Sequence, residues 1–416
     1  MNIFDLILSI LLITGVAIVV YYIFKGKVED DNYSRETYTI DYLCKQFKDN
    51  INNIINMDMD VLNLNKKDIE NRRALKRTLS NAIRKCSQGD MNSKIIVLSR
   101  VKYTITNVIK INEENINEAI PFDNYNKLSS KDKFEILMYL HKQNNNNNGM
   151  FQGICEHAHL DKLKKDNRGY YYCISDEDIN KLYEESLHTL TFDDKLNVLS
   201  QRIYEETYGL SVVDLLIMED TSIDGISGGV SGMTSSNFRY VEDEISSASY
   251  RKSNTYESVW VIYKGKPIHL KFLSFGSEAV MRRICKNLAE HGRIGHLTSS
   301  EGAIKTNLVN GSRVTVFRPN SAAQWVFFVR KYAATATSKL EELIIDSGNI
   351  YPIELIKWAI HGCVNLFFTG DQNSGKTTYT RAAVREIDRR QPIRTLESDF
   401  ELYLNDIYND KNIIGT

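Results

Sequence analysis

Eight consecutive residues, Gly370-Asp371-Gln372-Asn373-Ser374-Gly375-Lys376-Thr377, satisfy the spacing G-x-x-x-x-G-K-[ST], in which each fixed residue has a task in gripping phosphate. The glycines let the main chain curl so that several N–H groups converge on one point, and a helix that follows adds the positive end of its dipole there. Lys376 would reach the β- and γ-phosphates as a point charge. The Thr377 hydroxyl would ligate the Mg²⁺ that bridges the same phosphates, with Thr378 next in the chain. The spacing therefore implies a loop that holds a nucleoside triphosphate, expected to be ATP. The competing reading is a chance match within a glycine-containing turn.

The elements that must position such a loop are legible on both sides. Residues 364–369, Val-Asn-Leu-Phe-Phe-Thr, form an apolar, aromatic-rich run that reads as a buried strand. Residues 377–387 contain no breaker and place Ala383, Val384 and Ile387 on one helical face. A phosphate-loop ATPase also needs an acidic strand end to hold Mg²⁺ or polarise water. Ile393-Arg394-Thr395-Leu396-Glu397 reads as a short strand ending in a carboxylate, with Asp399 and Glu401 just beyond it; a solvated acidic turn is the alternative.

These residues resemble the secretion-ATPase superfamily, whose members power type II and type IV secretion, conjugation and pilus assembly. The resemblance rests on Ser374-Gly375-Lys376-Thr377-Thr378 and on Thr395-Leu396-Glu397-Ser398-Asp399-Phe400-Glu401-Leu402, which is similar to the family's acidic box. Before the loop, four features follow in the order of the tight-adherence (Flp) pilus subgroup: a strand pair at residues 259–267, a helix at 278–289, Asn310-Gly311-Ser312-Arg313-Val314, and Phe328-Val329-Arg330-Lys331-Tyr332. The resemblance spans roughly residue 191 to the C-terminus. It implies that Glu397 orients the attacking water with Glu401 in support, that Arg313 and Arg330 approach the γ-phosphate, and that the working unit is a homo-hexamer bound to membrane components of a secretion or pilus machine. Two departures stand out. Ser398 occupies a position where the family usually has Asp, with Asp399 displaced by one. The family's Walker B strand and histidine box would follow the acidic box, and only residues 378–416 remain after Thr377, so the chain reads as truncated.

Residues 6–24 run without a charge for 19 positions, about 28 Å as a helix and close to the hydrocarbon thickness of a bilayer. Asp5 precedes the run, and Lys25 and Lys27 follow it, which orients the remainder toward the cytoplasm. A cleaved signal peptide is the rival, but the basic n-region and an A-x-A-like site are missing. The expected location is the cell membrane, single-pass, with the bulk of the chain cytoplasmic. The formal net charge is −1, from 52 basic and 53 acidic residues, so no global field favours direct nucleic acid binding. Six scattered cysteines without a C-x-x-C pair suit free thiols in a reducing compartment.

The expected fold class is α/β: an N-terminal transmembrane helix, a helical region, an α/β N-terminal domain, and an incomplete RecA-like P-loop domain. The boundaries are an anchor at 1–28, a helical module at 29–142, a linker and irregular region at 143–190, an N-terminal domain at 191–332, a linker at 333–345 and the truncated P-loop domain at 346–416. In the helical module Ile40, Leu43, Phe47, Ile51, Ile54 and Ile55 form one stripe and Leu75, Leu79 and Ile83 another. Gln143 and the asparagines at 144–148 read as a flexible linker. Cys155, His157 and His159, with Cys173 as a fourth, match no standard zinc spacing. The glycine-rich stretch 224–232 lacks a lysine and a following helix and reads as a mobile loop. Two functions remain open: an ATP-hydrolysing motor of an envelope machine, and a membrane-anchored nucleotide-binding scaffold without hydrolysis. The transported substrate is not legible.

Overall fold

Short polar residues ahead of apolar-periodic runs set several helix starts among the described residues, because a side-chain oxygen there accepts from amides that the helix leaves without a partner. The structure, a computed structural model, describes residues 38–56, 66–86, 88–144, 149–166, 169–186, 189–229, 258–290, 302–319, 321–331, 339–371, 374–397 and 402–415. They fall into two units, Met1–Tyr332 and Ala333–Thr416. The charge-free run at 6–24 lies outside the described residues, and among those described no helix is long and apolar enough to cross a membrane.

The first unit opens with helices α1 (Ile40–Asn56), α2 (Lys66–Cys86) and α3 (Met91–Tyr103). In α1 the expected stripe is in place, with Leu43, Phe47 and Ile51 buried and Ile40, Ile54 and Ile55 packed at its margin. In α2 Leu79 is buried and Ile83 partly so, but Leu75 stays 40% exposed and the second stripe is shorter than its spacing implies. Asp90 starts α3 by accepting from the amides of Asn92 at 3.0 Å and Ser93 at 3.4 Å. Then come α4 (Ile116–Ala119), α5 (Ser130–Asn144), α6 (Met150–Ala158), strands β1 (Lys164–Asp166) and β2 (Gly169–Ile174), α7 (Asp176–Glu185), α8 (Phe192–Thr207) and α9 (Asp214–Met218). Reciprocal capping boxes, Ser175 with Asp178 and Thr191 with Asp194, begin α7 and α8. The region 143–190, expected as linker and irregular, thus carries α6, a hairpin and α7 among its described residues. Its polar residues serve as caps and turns.

Strands β3 (Gly225–Gly228), β4 (Val259–Tyr263) and β5 (Lys266–Leu270), helix α10 (Glu278–Ala289), and strands β6 (Ala303–Asn307), β7 (Arg313–Phe317) and β8 (Val326–Arg330) complete the unit. The eight strands form one sheet in the order β1-β2-β5-β4-β3-β8-β7-β6, antiparallel except where β2 meets β5. The expected strand pair and helix are both present. The β4–β5 turn places Lys264 at φ 49° and Gly265 at φ 73°, the positive pair that matches the twist of a two-residue hairpin. The glycine-rich stretch is where the structure departs from expectation: residues 225–228 form the central strand, bonded on both sides, rather than a mobile loop. Packing requires its glycines. A Cβ at Gly228 would lie 2.6 Å from Phe327 Cε1 and 2.8 Å from Phe275 Cζ.

One face of the sheet presents Ile226, Val261, Ile268, Val314 and Val329, all buried, and α10 covers its β6–β8 side with Met281, Ile284 and Leu288. This core is continuous with that of the first helices, so the described residues of the first unit share one hydrophobic interior, and the helical module expected at 29–142 shows no separate core among them. A buried charge cluster links the two parts. Lys94 on α3 is wholly buried and pairs with Asp214 on α9 and, at 2.6 Å, with Glu219; Lys142 reaches Glu219 from α5. Burial alone would push the Lys94 ammonium toward neutrality, but Asp214 and Glu219 outweigh it and raise its pKa above the ordinary value. Burial also opposes the charged form of Glu219, and Lys94 with Lys142 overcomes it, holding that carboxyl below its ordinary value.

The second unit contains α11 (Leu340–Leu343), α12 (Ile350–His361), α13 (Lys376–Arg385), β9 (Ile393–Thr395), α14 (Leu404–Ile407) and β10 (Ile413–Gly415). β9 and β10 pair in parallel, Ile393 opposite Ile413, and form a sheet of two strands. Two small clusters hold the unit: Val384, Ile393, Leu404 and Tyr408 in one, Leu340, Ile353 and Ala382 in the other. Residues 364–369, expected as a buried strand, form none, and Phe367 is 89% exposed. A strand exists by virtue of its ladder, and among the described residues no neighbour bonds to this run. The chain is therefore of mixed α/β class, with its large sheet in the first unit.

Two measurements follow from this architecture. Lys94→Met leaves Asp214 in the core without its cation and Glu219 with Lys142 alone, and is expected to cost about 3–5 kcal/mol of stability at pH 7 by urea unfolding. Because the folded pKa of Glu219 lies below its unfolded value, its contribution in the parent is present above the ordinary carboxyl value of 4.5 and is lost as pH falls through the folded pKa. The deficit of Lys94→Met should therefore shrink on acidification, as Glu219 takes up a proton and its pairing with Lys94 ceases to count in the parent. Independently, Gly228→Ala overpacks Phe275 and Phe327 and should cost about 1–3 kcal/mol.

Candidate functional site

The phosphate-loop residues lie at the start of α13. Gly375 is the N-cap, at φ 84° and ψ 13°, a left-handed conformation that glycine adopts without steric penalty. Having no side chain, it supplies no acceptor to the first turn, and that turn carries no acidic residue. The helix N-terminus therefore presents the amides of Lys376, Thr377 and Thr378 with the positive end of the dipole and no competing anion of its own. Behind the first turn α13 buries Ala382, Ala383 and Val384 and places Ile387 against the cluster around Val384, which is the helical face expected from the sequence.

Lys376 closes the loop. Its Nζ donates to the carbonyl of Gly370 at 2.9 Å and of Asp371 at 2.7 Å, so the ammonium is held over the turn that the amides also face. The Thr380 hydroxyl donates to the Lys376 carbonyl at 2.9 Å and stiffens the turn that carries the lysine. Gln372 and Asn373 lie outside the described residues. Sequence reasoning missed the brace behind the loop. The Phe368 and Tyr379 rings meet with centroids 5.7 Å apart, Arg381 Nε donates to the Leu402 carbonyl at 3.1 Å, and the Tyr408 hydroxyl donates to the Arg381 carbonyl at 2.8 Å. The i+3 spacing of Tyr379 and Ala382 was the available signal for a buried helical face.

Glu397 sits just after β9, as the strand-with-carboxylate reading requires. Its two oxygens close a local turn: Oε1 accepts from the Thr395 hydroxyl at 3.1 Å and Oε2 from the Leu402 amide at 2.9 Å. Ser398, Asp399 and Glu401 lie outside the described residues. Arg313 and Arg330 belong to the first unit, whereas Lys376 and Glu397 belong to the second. The two arginines are brought together as directly opposed partners on β7 and β8.

The donor set suits a magnesium nucleotide. Magnesium is a hard cation that takes oxygen ligands, keeps waters and is bound largely through phosphates, so one hydroxyl at Thr377 beside a row of amides is an adequate protein contribution. Among the described residues no group of three or more His, Cys, Asp or Glu could hold a metal unaided. The weak metal reading at residues 155–173 fails for a geometric reason: Cys155 is buried on the inner face of α6, while His157 and His159 face solvent.

No family model and no curated protein matches the chain. Among solved structures it is similar to the VirB11 ATPase of the Brucella suis type IV secretion system, in complex with sulphate, at 15% sequence identity and a TM-score of 0.21. The match covers 48% of this chain and 60% of that one, and at that TM-score it carries no argument. The functional reading stands on the loop and its helix.

The left-handed cap makes a direct prediction. Gly375→Ala forces a Cβ into a conformation costing about 1–2 kcal/mol, so amide exchange in the first turn of α13, measured by mass spectrometry, should quicken about 5- to 30-fold.

Proposed function

We propose that this chain binds ATP with Mg²⁺ at residues 370–378 and works as an ATP-hydrolysing motor subunit of secretion or pilus-assembly type. The observation that carries the reading is the Lys376 ammonium seated on the carbonyls of Gly370 and Asp371, directly before a helix whose glycine cap leaves the first-turn amides to an anion. A polyphosphate tail satisfies both sets of donors at once. Thr377 contributes its hydroxyl to the magnesium that accompanies the nucleotide, and the bound ion lowers the repulsion between phosphate oxygens. In the same reading Glu397 orients water with Glu401, Arg313 and Arg330 spread positive charge over the transferring phosphoryl group, six copies form a ring, and residues 6–24 anchor the chain in the cell membrane with its bulk in the cytoplasm. These parts rest on sequence resemblance.

A second reading has an observation of its own. Both Glu397 oxygens accept local hydrogen bonds, from the Thr395 hydroxyl and the Leu402 amide, so in this conformation the carboxylate helps to close a turn. That arrangement suits a membrane-anchored nucleotide-binding scaffold without hydrolysis. Turnover separates the two, since a motor hydrolyses ATP and loses that activity, but not binding, on Glu397→Gln.

Calorimetry tests the shared premise. The parent chain should take up Mg-ATP, and Lys376→Ala, which removes a charge-assisted contact worth about 1.5–3 kcal/mol, should bind it about 10- to 100-fold more weakly. Equal affinity in the two proteins would remove the assignment.

A further inference from the structure

The face of the large sheet turned away from the core has a composition that neither packing nor the phosphate loop accounts for. Strand register places Lys305, Thr315, Phe328, Ser227, Trp260 and His269 in one row across β6, β7, β8, β3, β4 and β5. A second row, about 7 Å along the strands, holds Arg313, Arg330, Gly225 and Ile262. At the outward positions of β2 to β8 there are cations and aromatic rings and, among the described residues, no Asp or Glu.

The rings form a slot. Trp260 and His269 stack face to face, centroids 4.5 Å apart and 7° from parallel, and Trp260 Nε1 donates to Ser258 Oγ at 2.7 Å, which fixes the indole. With His269 covering the indole on the β5 side, its other face is turned toward β3. Beyond β3 stands Phe328, 44% exposed and edge-on to Phe317 at 6.4 Å. Between these walls β3 offers only Gly225 and Ser227. Two strand spacings separate the backbones of Trp260 and Phe328 by about 10 Å, room for one flat ring at van der Waals distance of roughly 3.5 Å from each wall. Burial, with Lys271 nearby, holds the pKa of His269 down at about 4, so the stack is uncharged at neutral pH.

We infer that this face is a docking platform for single-stranded nucleic acid, an unpaired base lying in the slot over β3 while adjoining phosphates rest on Arg330, Arg313 and Lys305. A planar base supplies the only ring chemistry that comes with a repeated anion. The cations are spread over β8, β7 and β6, about 10 Å, which is more than one phosphate needs and favours a strand over a mononucleotide. A net charge of −1 gives no long-range attraction, so binding is local and salt-sensitive, with a log–log slope near −2 for about three phosphates. The platform does not depend on the loop at residues 370–378. It shares Arg313 and Arg330 with the motor reading, and the test therefore leaves both arginines in place.

Fluorescence anisotropy of a labelled oligo-dT of about 12 nucleotides, titrated with the full chain at low salt, tests the platform. Trp260→Ala and Phe328→Ala should each weaken binding by about tenfold or more, while Trp260→Phe and Phe328→Tyr retain most of it. Lys305→Gln should lower the salt slope by about 0.7, and Lys376→Ala should bind the strand as the parent does. The inference is overturned by absence of binding at low salt, or by binding that survives removal of both rings. It is equally overturned by duplex DNA or poly-glutamate competing as well as the single strand, which would mark a charge-only surface. Displacement of the strand by ATP from Lys376→Ala protein would assign the slot to a mononucleotide instead.

Discussion

A buried ammonium is tolerated only with its counter-charges in place, and Lys94 imposes that condition on the whole first unit. Its carboxylates come from α9 and the residue just after it, so α3 must lie against α9, and Lys142 draws α5 to the same point. The chain then passes from α9 through Asp220, which accepts the amides of Phe151 at 2.6 Å and Ser222 at 2.7 Å, directly into β3. Lys331 adds a tie from the end of β8, its ammonium on the carbonyls of Leu216 and Ile217, with burial holding its pKa down at about 8. The central strand of the sheet is therefore located by a cluster of charges in a helical layer. Removing a single partner leaves an uncompensated charge where water cannot reach it.

The parts of the fold written in local pattern were legible in the sequence. The α1 stripe and α13 follow from apolar spacing, the β4–β5 pair and α10 from the family resemblance, and the phosphate loop from residue identity. Lys94 was not legible, because in Met-Asn-Ser-Lys-Ile-Ile-Val a lysine reads as a solvated residue and its partners lie 120 and 125 positions downstream. The strand at residues 225–228 was misread for a related reason: glycine signals a turn on its own, and only the presence of Phe275 and Phe327 overhead turns it into a requirement for a flat strand. The run at 364–369 failed in the opposite direction. Its residues have strong strand preference, but preference is realised only through pairing and cover, and neither is present among the described residues.

At the candidate site the same division holds. The sequence identifies Lys376, Thr377 and the glycines because their roles depend on backbone curvature and one charge, all local. It could not show that Glu397 binds back on Thr395 and Leu402, or that Arg313 faces Arg330 across a ladder, since both facts are matters of register and turn closure. The two units differ in how they hold themselves together. The first has one large interior, whereas the second keeps its loop in shape with two small clusters and a set of main-chain hydrogen bonds, of which the lysine's own are part.

Of the six cysteines, five are buried and Cys363 alone is exposed, at φ 56° in the turn that ends α12 and seven positions before Gly370. Burial raises the pKa of Cys44 and Cys285 to about 12, which leaves those thiols inert at neutral pH. A maleimide dye or spin label would thus attach at one place in the unaltered chain, a few residues ahead of the glycine-lysine loop. The molecule comes with a ready-made reporter position for that segment.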